Sequence, residues 1–191
     1  VFQFTVDGSV GYITQADTVR SVGTAPTDVS ILDVDVDGNL DLVVTNSTDN
    51  TVSIFLNDGS GGYSTASTLA TGTYPAAIAS GDFDNLNGMD FVVVNYSDND
   101  VRVFTNNGSG TFTSADYVVG TGAIDAAVAD LNGDGYLDIA VQNRNVTYAS
   151  ILLNDGDGTF TASGTISNTS NLDRIIAADI DDDDDDFDIE F

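Results

Sequence analysis

An aspartate-rich segment of nine residues comes round four times in this chain, and its period constrains the fold more than any other feature. It reads Asp33-Val-Asp35-Val-Asp37-Gly38-Asn39-Leu-Asp41, then Asp82-Phe-Asp84-Asn-Leu-Asn87-Gly88-Met-Asp90. It returns as Asp130-Leu-Asn132-Gly-Asp134-Gly135-Tyr136-Leu-Asp138 and, in altered form, from Asp179 to Asp188. The repeat length is about 48 residues, so the 191 residues read as a single repeat domain, 1–191, centred on segments 33–41, 82–90, 130–138 and 179–188. A unit of that size cannot bury its apolar face alone and must stack on its neighbours.

The parts of each repeat follow one order. A short apolar stretch (Val29–Leu32, Ala76–Ala79, Ala126–Ala129, Ile175–Ala178) enters the Asp loop. The loop's last Asp opens a β-branched run, such as Leu42-Val-Val-Thr45 or Phe91-Val-Val-Val94. A polar turn leads to a third strand, then to a glycine turn (Asn57-Asp-Gly-Ser-Gly61, Asn106-Asn-Gly-Ser-Gly110, Asn154-Asp-Gly-Asp-Gly158) capped by Tyr63, Phe112 or Phe160. Asn-Gly and Asp-Gly between β-rich runs signal hairpins, and nothing has a helical period. The expectation is an all-β repeat fold. Pro26 and Pro75 fall just ahead of the strand entering the loop. The aromatics, with Tyr12, are expected in the core rather than on a sugar-stacking surface.

Charge narrows the chemistry. Thirty-one acidic residues face four basic ones, Arg20, Arg102, Arg144 and Arg174, for a formal charge of −27. Such a surface repels phosphates, so nucleic acid and anionic membrane are not expected partners. No apolar run approaches the ~18 residues of a membrane-spanning helix. Cysteine and histidine are absent, which removes thiol nucleophiles, imidazole acid–base chemistry and the usual zinc ligands. Oxygen donors remain, and they suit hard cations such as calcium.

Within the loops, Asp at positions one, three and five can turn oxygens toward one centre, with a sharp glycine turn at position six. A backbone carbonyl at position seven, from Asn39 or Tyr136, and the Asp at nine complete the set. Loop one offers Asp33, Asp35, Asp37, Asn39 and Asp41; loop three offers Asp130, Asn132, Asp134, Tyr136 and Asp138. Loop two carries Asp82, Asp84 and Asp90 but has Leu86 at position five, and its Asn-Gly is displaced by one residue. Either Asn87 substitutes there or the site is lost. Loop four has Asp179, Asp181, Asp183 and Asp188, no glycine and one residue too many; its six-Asp run binds cation or stays solvated. The alternative for every loop is that the carboxylates merely cap turns by accepting backbone N–H groups. Paired carboxylates could also hydrolyse glycosides, but each cluster serves better as a cation cage, so a non-enzyme is expected.

Sequons stand at Asn46, Asn95, Asn107, Asn145 and Asn168, candidates for glycosylation in a secreted chain. The chain opens at Val1 rather than Met, which reads as a mature or truncated product. Residues 1–12 align with the third strand, glycine turn and aromatic of later repeats, and residues 187–191 align with a second strand. The repeats are therefore cut inside a hairpin, so strands 1–6 and 187–191 are expected to pair, within one chain or between copies in a ring or filament.

The segment Ala-Asp-Leu-Asn-Gly-Asp-Gly-Tyr-Leu-Asp-Ile-Ala-Val at 129–141, with Leu-Asn-Asp-Gly-Asp-Gly-Thr-Phe at 153–160, resembles the FG-GAP/VCBS repeats of integrin α-subunit heads. The resemblance spans nearly the whole chain. It implies β-propeller blades of four antiparallel strands, calcium in the loop between the first two strands, and an extracellular role in adhesion, recognition or scaffolding. Propellers of this family usually have seven blades and this chain has four repeats. A closed four-bladed ring, a fragment of a larger propeller and a self-associating array all remain open, as does a lectin-like, glycan-binding propeller. A protein or glycan ligand outside the cell is the expected partner.

Overall fold

The computed structural model describes residues 21–86, 88–168, 172–178 and 188–190, and among them every regular element is a strand. Strands β1 (Pro26–Leu32), β2 (Asp41–Asn46), β3 (Thr51–Asn57) and β4 (Tyr63–Ala70) form an antiparallel sheet in chain order. The same order is kept by β5 (Pro75–Gly81), β6 (Asp90–Asn95), β7 (Asp100–Asn106) and β8 (Phe112–Val118). It holds again in β9 (Ala123–Ala129), β10 (Asp138–Asn143), β11 (Tyr148–Asn154) and β12 (Phe160–Ser167). β13 (Ile176–Ala178) and β14 (Asp188–Glu190) pair as the opening strands of a fourth sheet. These are propeller blades, and the first strands β1, β5, β9 and β13 lie side by side in succession. The two prolines open β1 and β5 rather than precede them, a place where a missing N–H is tolerated.

Strand period explains the stacking. Successive side chains point to opposite faces, and a blade between two others must bury both. All six residues of β6 are buried. Phe91 and Val93 join a cluster with Leu32, Val43, Val52 and Ile54 of the first blade. Val92 and Val94 turn the other way, to Ile139, Val141 and Leu152 of the third. Ala140 and Ala149 continue toward Ile175 of the fourth. The outer strands β8 and β12 are mostly exposed.

The second residue of each Asp loop plugs the next blade. Val34 and Phe83 are fully buried, and the Phe83 ring meets Phe160 edge-on at 5.4 Å. The aromatics expected in the core are there in part: Phe160 is buried, Phe112 packs on Phe91 at 5.0 Å, and Tyr63 is half-buried. Tyr12, Asn87, Asp179, Asp181, Asp183, strand 1–6 and residues 187 and 191 lie outside the described residues.

Candidate metal centre

Each Asp loop joins the first two strands of its blade, and the glycine turn between the third and fourth strands lies at the same end. The ninth-position carboxylates knit the two together. Asp41, Asp90 and Asp138 have no exposed surface. One oxygen of each accepts the N–H of the loop's second residue: Val34 at 2.8 Å, Phe83 at 2.8 Å and Leu131 at 3.0 Å. The other accepts the N–H of Asn57, Asn106 or Asn154 at 2.7–2.8 Å. Position nine, expected as a ligand, is thus first a bracket that fixes loop and turn. Burial pushes the Asp90 carboxyl up to about 6, with its two backbone N–H bonds pulling the other way, and raises Asp138 as well.

Two loops gather their carboxylates. Oxygens of Asp33, Asp35 and Asp37 lie within 4.8 Å of one another, and so do those of Asp82, Asp84 and Asp90. In each cluster one buried oxygen, Oδ1 of Asp35 or of Asp82, has no hydrogen-bond partner among the described residues. A buried carboxylate oxygen without a partner, beside two like charges, is costly unless a cation sits there. Asp35 is raised by burial and then by the charges of Asp37, Asp41 and Asp33. The donor set is all oxygen, and that fits calcium.

Loop two gathers the three aspartates named for it, while Asn87 lies outside the described residues. Its displaced Gly88 still takes the left-handed turn, at φ 98°, one residue later than Gly38 (φ 86°) and Gly135 (φ 89°). Its cluster forms from Asp90 rather than from position five. In loop three Asn132 stands where the other two loops carry Asp35 and Asp84, and Asp130, Asp134 and Asp138 do not gather as tightly by themselves among the described residues. Asp130 accepts the N–H groups of Gly133, Asp134 and Gly135, while Asn132 and Asp134 bond each other. Asp33 caps loop one in the same way, accepting the N–H groups of Asp37 and Gly38. Asp188 opens β14, opposite Ala178.

Two further features recur from blade to blade. The Asn that opens the second and the third glycine turn donates across the blade boundary: Asn106 Nδ2 to Val34 O at 2.7 Å, and Asn154 Nδ2 to Phe83 O at 2.8 Å. The fourth loop position is left-handed in all three described loops, at Val36 (φ 61°), Asn85 (φ 52°) and Gly133 (φ 74°).

The sequons divide. Asn46 and Asn95 are fully buried, with Nδ2 bound to Ser53 Oγ at 3.0 Å and to Asp100 Oδ1 at 2.8 Å respectively. In the folded chain neither amide is open to a glycan, which corrects that expectation. The third blade puts Asn143, which heads no sequon, at the same place, so the recurrence is structural. Asn107 and Asn145 are exposed, and Asn168 donates to Gln142 at 2.8 Å.

A model of the FG-GAP-like repeat matches residues 33–85, 87–141 and 130–186. The chain belongs to the FG-GAP-like repeat family. No curated protein matches the sequence. Among solved structures, this FG-GAP-like chain resembles a protein from Lactobacillus plantarum (TM-score 0.63, 16% identity, 85% of this chain and 48% of that one). It also resembles an Agrocybe aegerita lectin described as recognising non-reducing terminal N-acetylglucosamine (TM-score 0.58, 24% identity, 83% and 44%). A third is BBS1N in complex with ARL6DN (TM-score 0.57, 15% identity, 93% and 50%). At such identities the likeness concerns the fold, and this chain spans about half the length of those it matches.

Proposed function

We propose that this FG-GAP-like chain is a calcium-stabilised, non-catalytic β-propeller module acting outside the cell in adhesion or as a structural unit. The observation that carries the reading is the pair of unpartnered, buried oxygens, Asp35 Oδ1 and Asp82 Oδ1, each inside a three-carboxylate cluster. Calcium there acts on folding rather than on chemistry, because it binds the ordered loop and stabilises it by linkage. No helix among the described residues is long and apolar enough to cross a membrane. Glycans, where present, belong on the exposed Asn107 and Asn145. Self-association of copies, head to tail, is part of this proposal. Electron microscopy distinguishes the resulting filament from a closed ring.

Titration calorimetry with calcium tests the metal assignment. Loops one and two each take up one equivalent, and Asp35→Asn and Asp82→Asn each remove one. A double variant with undiminished stoichiometry refutes it.

One observation favours a second, glycan-binding reading. Tyr74 is exposed, sits in the left-handed region at φ 58°, and meets the Tyr96 ring at 5.8 Å. A pair of aromatic rings with one exposed at the surface suits stacking on a sugar ring. Binding on a glycan array that Tyr74→Ala abolishes supports this reading.

A further inference from the structure

The first strands of the blades carry four equivalent positions, five residues ahead of each loop's first Asp: Asp28, Ala77, Asp125 and Arg174. Two aspartates alternate with one alanine and one arginine. Asp28 and Asp125 each tie their blade to the next, accepting the N–H of Ile78 and of Ile175 at 3.1 Å. Alanine makes no such bond and leaves space. The result is a cavity of about 260 Å³, lined by Asp28, Ala77, Asp125, Arg144, Asp173 and Arg174. It opens at the end of the blades away from the Asp loops, where β1, β5 and β9 begin.

Two of the chain's four arginines converge here, in a protein of net charge −27. Arg144 is held by Asp173 at 3.0 Å. Arg174 is far freer: its side chain is 81% exposed, and among the described residues its ionic contact is Asp125 at 3.8 Å, too long for a good hydrogen bond. Its guanidinium fork is thus available for a carboxylate. Asp125 is nearly buried, and burial raises its carboxyl, while the Ile175 N–H and the Arg174 charge pull it down and the charge of Asp28 adds a smaller push upward.

We propose that this cavity binds a small zwitterion, its carboxylate on Arg174 and its ammonium between Asp28 and Asp125. Each simpler ligand class fits worse. A plain anion is repelled by the field of the whole protein and by the two aspartates. A plain cation meets two arginines, and the protein offers it far better oxygen sites in the loops. A molecule with no net charge but opposite ends satisfies both groups. Size agrees, because drug-sized ligands fill roughly 300–1,000 Å³ and this space is smaller. The site uses none of the carboxylates assigned to calcium.

The test is titration calorimetry of the full chain, calcium-saturated and at low salt, with glycine, β-alanine, 4-aminobutanoate and 5-aminopentanoate. The unsubstituted carboxylate and the alkylamine of each length serve as controls. One chain length binds at least tenfold tighter than its two controls, and Arg174→Gln abolishes that preference while Arg174→Lys retains part of it. Asp28→Asn weakens the amino acid but not the carboxylate control. Absence of binding by the whole series overturns the proposal. Equal binding of carboxylate and zwitterion overturns it too, as does a folded Arg174→Gln protein with unchanged affinity.

Discussion

Val36 shows how a single residue records the demands of the Asp loop. Its backbone is left-handed although it is β-branched, and 54% of it is exposed, so little packing repays the strain. The equivalent residues, Asn85 and Gly133, tolerate that region. Replacement Val36→Asn is expected to stabilise the protein by roughly 1 kcal/mol, since left-handed backbone costs about 1–2 kcal/mol at an ordinary residue; urea unfolding measures it. Asp90 gives a second expectation. Its folded carboxyl titrates near 6, above the 3.8 of an ordinary Asp, so it binds its proton more tightly in the folded state. Stability from that group is complete below about pH 4 and is lost as pH rises through 6. Without divalent cation, the melting temperature should therefore fall between pH 4 and pH 7, and excess calcium should remove the fall. A metal-free protein that gains stability across that range contradicts the assignment of Asp90.

At the scale of strands and loops, the Asp loop and the glycine turn behave as one device that seals each blade to its neighbour. Asn106 is its centre: its N–H goes to Asp90 and its side-chain amide to Val34 O and Met89 O. Asn106→Ala leaves those carbonyls unpaired at a buried boundary and should cost about 1–3 kcal/mol. Asn57→Ala, whose amide has the single described acceptor Leu40 O on a more exposed surface, should cost less. Chemical denaturation of the two variants checks the order. These elements differ in how readable they were. Strand identity and order followed from β-branched runs and from Asp-Gly and Asn-Gly turns, because local pattern determines them. The double role of position nine was not legible, because an Asp that accepts backbone N–H groups from loop and turn can also join a carboxylate cluster, as Asp90 does. The gathering of loop two's carboxylates was not legible, because the pattern does not show that a glycine shifted by one residue still supplies the left-handed turn. Asn46 and Asn95 looked like sequons because the pattern cannot show that their amides are turned inward.

Over the whole molecule, stacked blades place most apolar area between sheets, and the acidic loops concentrate negative charge at one end of them. The repeat period made the architecture legible, whereas the cavity among the first strands was not. That cavity depends on Asp28, Ala77, Asp125 and Arg174, which lie far apart in sequence and differ from one another. With a charge of −27, the compact state opposes its own electrostatics, and cations in the loops relieve that where carboxylates are densest. A site filled at one hundred times its dissociation constant adds about 2.7 kcal/mol. For a chain of this size each kcal/mol moves the melting temperature by roughly 2–4 °C. The direct measurement is the melting temperature at pH 7 in calcium and in excess chelator. The account predicts a rise with calcium on the order of 5–10 °C per occupied loop, diminished in Asp35→Asn and Asp82→Asn; identical melting in calcium and chelator would contradict it.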